Sequence, residues 1–136
     1  MAESGVIMGQ AVFVSRSASE RAYKGETSYN NPFVPTKTLK KFNDLGYSVA
    51  VEKKGNKTVI SLEDRHGESG YIFEDANSDM ARADYIKKQN AEHLKDINKT
   101  LAWELKNTTE EEVERRRRWK ADELKGIELR KRYNRK

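Results

Sequence analysis

Apolar and polar positions alternate with two different periods along this chain, and the change of period divides it. From Thr36, Leu39, Phe42 and Leu45 recur every three residues and Gly46 follows at the place of a helix C′ residue, which predicts one short helix. Tyr47, Val49 and Val51 then alternate with smaller or polar residues. After a turn through Lys53, Lys54, Gly55 and Asn56, Thr58, Ile60 and Leu62 alternate in the same way, predicting a β-hairpin. A second turn through Asp64 to Ser69 leads to Tyr71 and Phe73 and a third antiparallel strand.

From about Asn77 the period lengthens to three or four. Met80, Ala83, Ile86, Leu94, Ile97, Leu101 and Leu105 fall near one helix face, with polar Asn90 and His93 interrupting the stripe. This helix is expected to cover the sheet and to stop near Asn107. Thr109 and Glu112 have the spacing of a capping box, and Glu110, Glu111 and Glu112 suit the positive end of a new helix running to about Lys131. Val113, Leu124 and Ile127 lie near one stripe of it while Trp119, Leu129 and Tyr133 do not, so much of its circumference is expected to be exposed. The fold class is therefore α+β: a short helix, a three-stranded antiparallel meander, then two long C-terminal helices forming a helical hairpin or an extended arm. Residues 1–35, rich in Gly, Ser, Asn and Thr and carrying Pro32 and Pro35, read as irregular with one short strand at Ala11 to Ser15. The body spans 36–107 with its covering helix, and 108–136 form a charged basic helix and tail.

Composition narrows the function classes. Leu, Ile, Val and Phe number 26 in 136 residues, a thin core for a chain whose net charge is only +5. Such a chain gains stability by covering a helix face with a partner or a second copy. Cysteine is absent, which excludes disulfides and thiolate metal sites and points to a reducing compartment, the cytoplasm. The apolar run Val6 to Val14 is too short to span a bilayer and follows Glu3 rather than a basic segment, so neither a signal peptide nor a membrane partner is expected.

Charge placement adds more than charge total. Residues 1–80 carry 10 basic and 11 acidic side chains, residues 81–112 carry 6 and 7, and residues 113–136 carry 11 and 4. Arg115, Arg116, Arg117, Arg118, Trp119 and Lys120, with Arg130, Lys131, Arg132, Arg135 and Lys136, combine guanidinium groups that pair with phosphate and an indole that stacks on a base. Set against this, Glu111 to Arg115, Glu112 to Arg116 and Glu114 to Arg118 are i,i+4 pairs within one helix, and four successive arginines point around most of it. Glu128 to Arg132 is a further such pair. A secondary basic patch is available from Lys40 and Lys41 on the short helix and Lys53, Lys54 and Lys57 at the hairpin tip, an order a winged-helix reader shares.

Catalytic candidates are sparse. Glu63, Asp64, His66 and Glu68 mix carboxylates with an imidazole but fall in a hydrophilic turn. Glu52 and Lys54 have the spacing of half a metal-dependent nuclease motif, whose preceding aspartate would be Asp44, at a helix end rather than on a strand. His93 lacks a second ligand at i+3 or i+4, so no metal and no cofactor is expected.

The leading expectation is a non-enzymatic macromolecular binding protein whose basic C-terminal helix engages nucleic acid or an acidic protein surface. The alternative is a protein-directed regulator, inhibitor or assembly factor, of a kind phages and mobile elements encode, acting through Leu94, Ile97, Leu101, Trp103 and Trp119. That reading allows a homo-oligomer through the C-terminal helices. A metal-dependent nuclease is a third class.

Overall fold

The computed structural model describes residues 14–25, 28–76 and 79–134. Its elements run α1 (Arg16–Lys24), α2 (Thr36–Asp44), β1 (Ser48–Lys54), β2 (Lys57–Asp64), β3 (Gly67–Glu74), α3 (Met80–Asn107) and α4 (Glu110–Tyr133). The short helix, the antiparallel meander β1-β2-β3 and the two long helices follow the order expected from the period change. Strand pairing runs to the turns: Lys54 opposes Lys57 and Asp64 opposes Gly67, so both connections hold two residues and are tighter than the sequence suggested. At the second turn Asp64 Oδ1 accepts from the backbone N–H of His66 at 3.0 Å and of Gly67 at 3.1 Å, which draws the chain round within two residues.

Alternation along the strands sorts side chains onto two faces. On one, Val49, Ile60, Leu62, Tyr71 and Phe73 meet Leu39 and Phe42 of α2 and Ile97 and Leu101 of α3 in the main core. The interruptions of the α3 stripe have specific uses. Asn90 donates to the Glu74 carbonyl at 2.9 Å and accepts from the Glu74 N–H at 3.2 Å, closing the end of edge strand β3. His93 stands edge-on to the rings of Tyr71 and Phe73, and its burial lowers its pKa below the ordinary 6.5. Asp96 accepts from the Tyr71 hydroxyl at 2.8 Å.

The opposite face carries a helix the hydrophobic pattern did not reveal. Within 1–35, residues 16–24 are helical rather than irregular. Val14 and Ser15 are not strand, while Ala11 to Phe13 lie outside the described residues. Ser15 caps α1 by accepting from the Ala18 N–H at 3.2 Å and donates its own N–H to Glu52 Oε1 at 3.0 Å, fixing the helix to β1. Only Ala18 and Ala22 are buried in α1, against Ala50. Small side chains on both sides let helix and strand approach closely, but they contribute little to an apolar periodicity. Residues 28–35 are irregular as expected, ordered by Asn31. Its side chain accepts from the N–H groups of Phe33 and Val34 and donates to the Tyr29 and Val34 carbonyls.

Helix α2 ends in a Schellman arrangement, with the Tyr47 N–H bonded to the Phe42 carbonyl at 3.1 Å and the Gly46 N–H to the Asn43 carbonyl at 2.9 Å. Gly46 holds φ +95°, where a side chain is strained. Helix α4 runs back along α1 and meets the junction of α2 with β1. No helix among the described residues is long and apolar enough to cross a membrane.

Candidate binding surface on the C-terminal helix

The N-terminus of α4 forms where the sequence places it, with Thr109 Oγ1 accepting from the Glu112 N–H at 3.2 Å. Only half of the expected capping box is made. The Glu112 carboxylate turns instead to Arg65, accepting from Nε at 3.2 Å and Nη2 at 3.3 Å, and to Arg115 at 3.3 Å. Hydrogen bonding to Arg65 holds its pKa below the ordinary 4.5. Two-point guanidinium recognition outweighs a return bond to a single backbone N–H.

Beyond this point the arginine run departs from a free arm. Arg116 is 4% exposed. Its Nη2 lies 3.0 Å from Glu104 and 3.9 Å from Asp64, its Nε lies 3.4 Å from Glu112, and its Nη1 donates to the Leu45 carbonyl at 3.0 Å. The guanidinium sits 4.9 Å from the Tyr47 ring centre, and the Tyr47 hydroxyl donates to Glu104 at 3.0 Å, where the Thr108 hydroxyl donates as well. Burial and the Glu104 charge push the Tyr47 phenol far above its ordinary pKa, keeping it a donor. Glu104, itself 6% exposed, thus receives three donors, the condition under which a buried ion pair is tolerated.

The neighbouring cations serve the same junction. Arg117 donates to the Asp44 carbonyl at 3.2 Å. Lys120, 8% exposed, donates to the Tyr47 carbonyl at 3.1 Å and approaches Asn43 Oδ1 at 3.5 Å. Burial and the nearby Arg117 lower the Lys120 pKa. Together with Arg116, these groups cluster their charge at the C-terminal end of α2, the negative end of that helix. Gly46 makes the approach possible, since a Cβ there would stand 2.6 Å from the Arg116 Cβ.

Three further expected contact residues are engaged within the fold. Trp119 is partly buried in a T-shaped contact with Tyr23 at 5.7 Å. Arg115 pairs with Glu111 at 3.6 Å and Glu112 at 3.3 Å, and Lys131 pairs with Glu20. Among the described residues Arg118, Lys125, Arg130 and Arg132 make no ion pair, and neither Glu114 with Arg118 nor Glu128 with Arg132 closes the expected i,i+4 contact. Arg118, Lys125 and Arg132 stand at seven-residue intervals on the exposed side of α4, interleaved with Ala121 and flanked by Leu124 and by Leu129, which is 55% exposed. Arg135 and Lys136 lie outside the described residues.

The other sequence candidates are dispersed. Ile97 and Leu101 are buried and Leu94 packs against the core, so they cannot form the alternative protein interface; of that set only Trp103, 61% exposed, faces outward. Lys53 pairs with Asp75 at 3.0 Å and Lys54 with Glu52 at 3.6 Å, while Lys40, Lys41 and Lys57 are exposed. At the second turn Glu63 accepts from the Tyr23 hydroxyl at 3.1 Å, and burial pushes its pKa up. His66 lies 3.7 Å from Glu112. Among the described residues no three His or carboxylate side chains converge to hold a metal ion. Asp44 meets α4 through its carbonyl, and Glu52 takes the N–H of Ser15.

The residues that sequence reasoning missed are Glu104, Tyr47 and Gly46, which meet Arg116 from α3 and from the connection between α2 and β1. Glu104 fell on the edge of the α3 stripe, and its charge was the available signal. No family model matches this chain, and no curated protein and no solved structure matches it.

Proposed function

We propose that the chain is a non-enzymatic binding protein whose outer α4 face, bearing Arg118, Lys125 and Arg132 beside Leu124 and Leu129, engages an amphipathic protein surface carrying acidic groups. The observation that carries this reading is the division of the basic segment. Arg116 and Lys120 are buried on the fold's own carbonyls and carboxylates, whereas the outer cations among the described residues have no partner and stand beside exposed leucine. A row of charge interleaved with aliphatic side chains matches the mixed character of a protein interface. Single-stranded nucleic acid calls for stacking aromatics, and Trp119, the aromatic beside the arginine run, is partly buried against Tyr23.

A photo-crosslinking side chain at Leu129 of the full chain, with another at Lys87 on α3 as control, tests the reading in the cells that make the protein. A protein adduct at Leu129 but not at Lys87 is the expected result. Nucleic-acid adducts at Leu129, together with oligonucleotide binding that falls steeply with salt and is lost in Arg118→Glu with Arg132→Glu, would overturn it in favour of a phosphate-binding role.

A further inference from the structure

The exposed side of α4 has an internal symmetry. Glu114, Arg118, Ala121, Lys125, Glu128 and Arg132 follow one another at intervals of four, three, four, three and four residues, the spacing of a coiled-coil seam, and all six are exposed. Glu114 and Arg132 stand nine residues either side of Glu123, while Arg118 and Glu128 stand five either side. The seam reversed end for end therefore places acid opposite base at both distances. Ala121 and Lys125, two residues either side, meet at the centre.

We infer that a second copy of this chain docks here, with its α4 antiparallel to the first. This rests on the protein-binding reading above and names its partner. Antiparallel pairing about Glu123 sets Glu114 against Arg132 and Arg118 against Glu128 of the other copy, twice each by the two-fold axis, giving four ion pairs from groups that make none within the described fold. Parallel in-register pairing sets Glu on Glu and Arg on Arg, so charge alone selects the direction. Leu124 and Leu129 flank the seam and supply its apolar contact, with the aliphatic stems of Arg118 and Lys125 beside them. The inner side of α4 is held on α1 and the end of α2, which leaves the seam facing outward.

Charges exposed in the monomer make a weak, salt-sensitive dimer, so association is expected over about 10–500 μM at low ionic strength and declines as salt is added. Sedimentation equilibrium of the full chain across that range tests it. Arg118→Glu with Arg132→Glu in one variant, and Glu114→Arg with Glu128→Arg in another, should each weaken self-association about tenfold or more, whereas an equimolar mixture of the two restores a heterodimer. Because the chain has no cysteine, Glu114→Cys mixed with Arg132→Cys should give a disulfide-linked pair, and Glu114→Cys alone should not. A wild-type chain that stays monomeric throughout, a dimer indifferent to both reversals, or a Glu114→Cys homodimer would each overturn the inference. A monomer that still crosslinks through Leu129 to a different protein overturns self-pairing while the protein-binding reading stands. Oligonucleotide binding through the same arginines overturns both.

Discussion

Helix α4 presents two basic faces that composition does not distinguish. The inner one carries Arg116 and Lys120, each under a tenth exposed, with polar partners drawn from α2, from its connection to β1, from β2 and from α3. The outer one carries Arg118, Lys125 and Arg132, which meet no acid among the described residues. Adjacent residues of a helix point 100° apart, so Arg116 and Arg118 differ in role as much as two residues on different elements. A run of like charge is therefore not a single structural unit.

The largest test of that division is Arg116→Met. Removing the guanidinium leaves Glu104 buried beside Asp64 and Glu112 without its cation, and a cost of about 3–5 kcal/mol is expected from urea denaturation. A cost below about 1 kcal/mol would show that the inner face is not structural. Gly46→Ala attacks the same junction from the other side. The substitution introduces a side chain at φ +95° and a Cβ 2.6 Å from that of Arg116, so a loss of about 1–3 kcal/mol is expected, measured by the same denaturation.

Glu63 sharpens the comparison through pH, because it lies where α1, α4 and the sheet meet. Its folded pKa is raised by burial first, although the Tyr23 hydrogen bond opposes this, and the charges of Glu68, Glu123 and Asp64 raise it further. The folded state thus holds a proton that the unfolded state releases at about the ordinary 4.5, and stability contributed by this group declines as pH rises from there through the folded pKa. Glu63→Gln should flatten that decline in thermal melts between mildly acidic and neutral pH. It also relieves a like-charge pair with Glu68 directly across the strands, an effect of about 0.2–1 kcal/mol. The smallest expected effect is on the outer face, where Arg118→Glu should alter stability by less than about 0.5 kcal/mol. A larger loss would mean that this arginine is engaged in the fold like its neighbour.

Much of the fold was legible because periodicity and caps are local. Leu39, Phe42 and Gly46 marked a helix and its end, and strict alternation marked three strands. Thr109 announced α4. Helix α1 escaped because its buried side is two alanines, although Ser15 and Gly25 mark its two ends in a sequence that carries no apolar stripe. The binding candidates were less legible, since Ile97 and Leu101 of the apolar stripe and Arg116 and Lys120 of the basic run are all interior.

By itself, the order of residues determined which segments turn, pleat or coil, because each depends on neighbours within a few positions. It also determined where positive charge accumulates. Only the tertiary structure decided which of those charges remain available, because burial is set by what another element brings from 52 or 71 residues away in sequence, as Asp64 and the Leu45 carbonyl do for Arg116. A charged side chain's preference for solvent is overcome only where carboxylates and carbonyls of its own fold take the place of water.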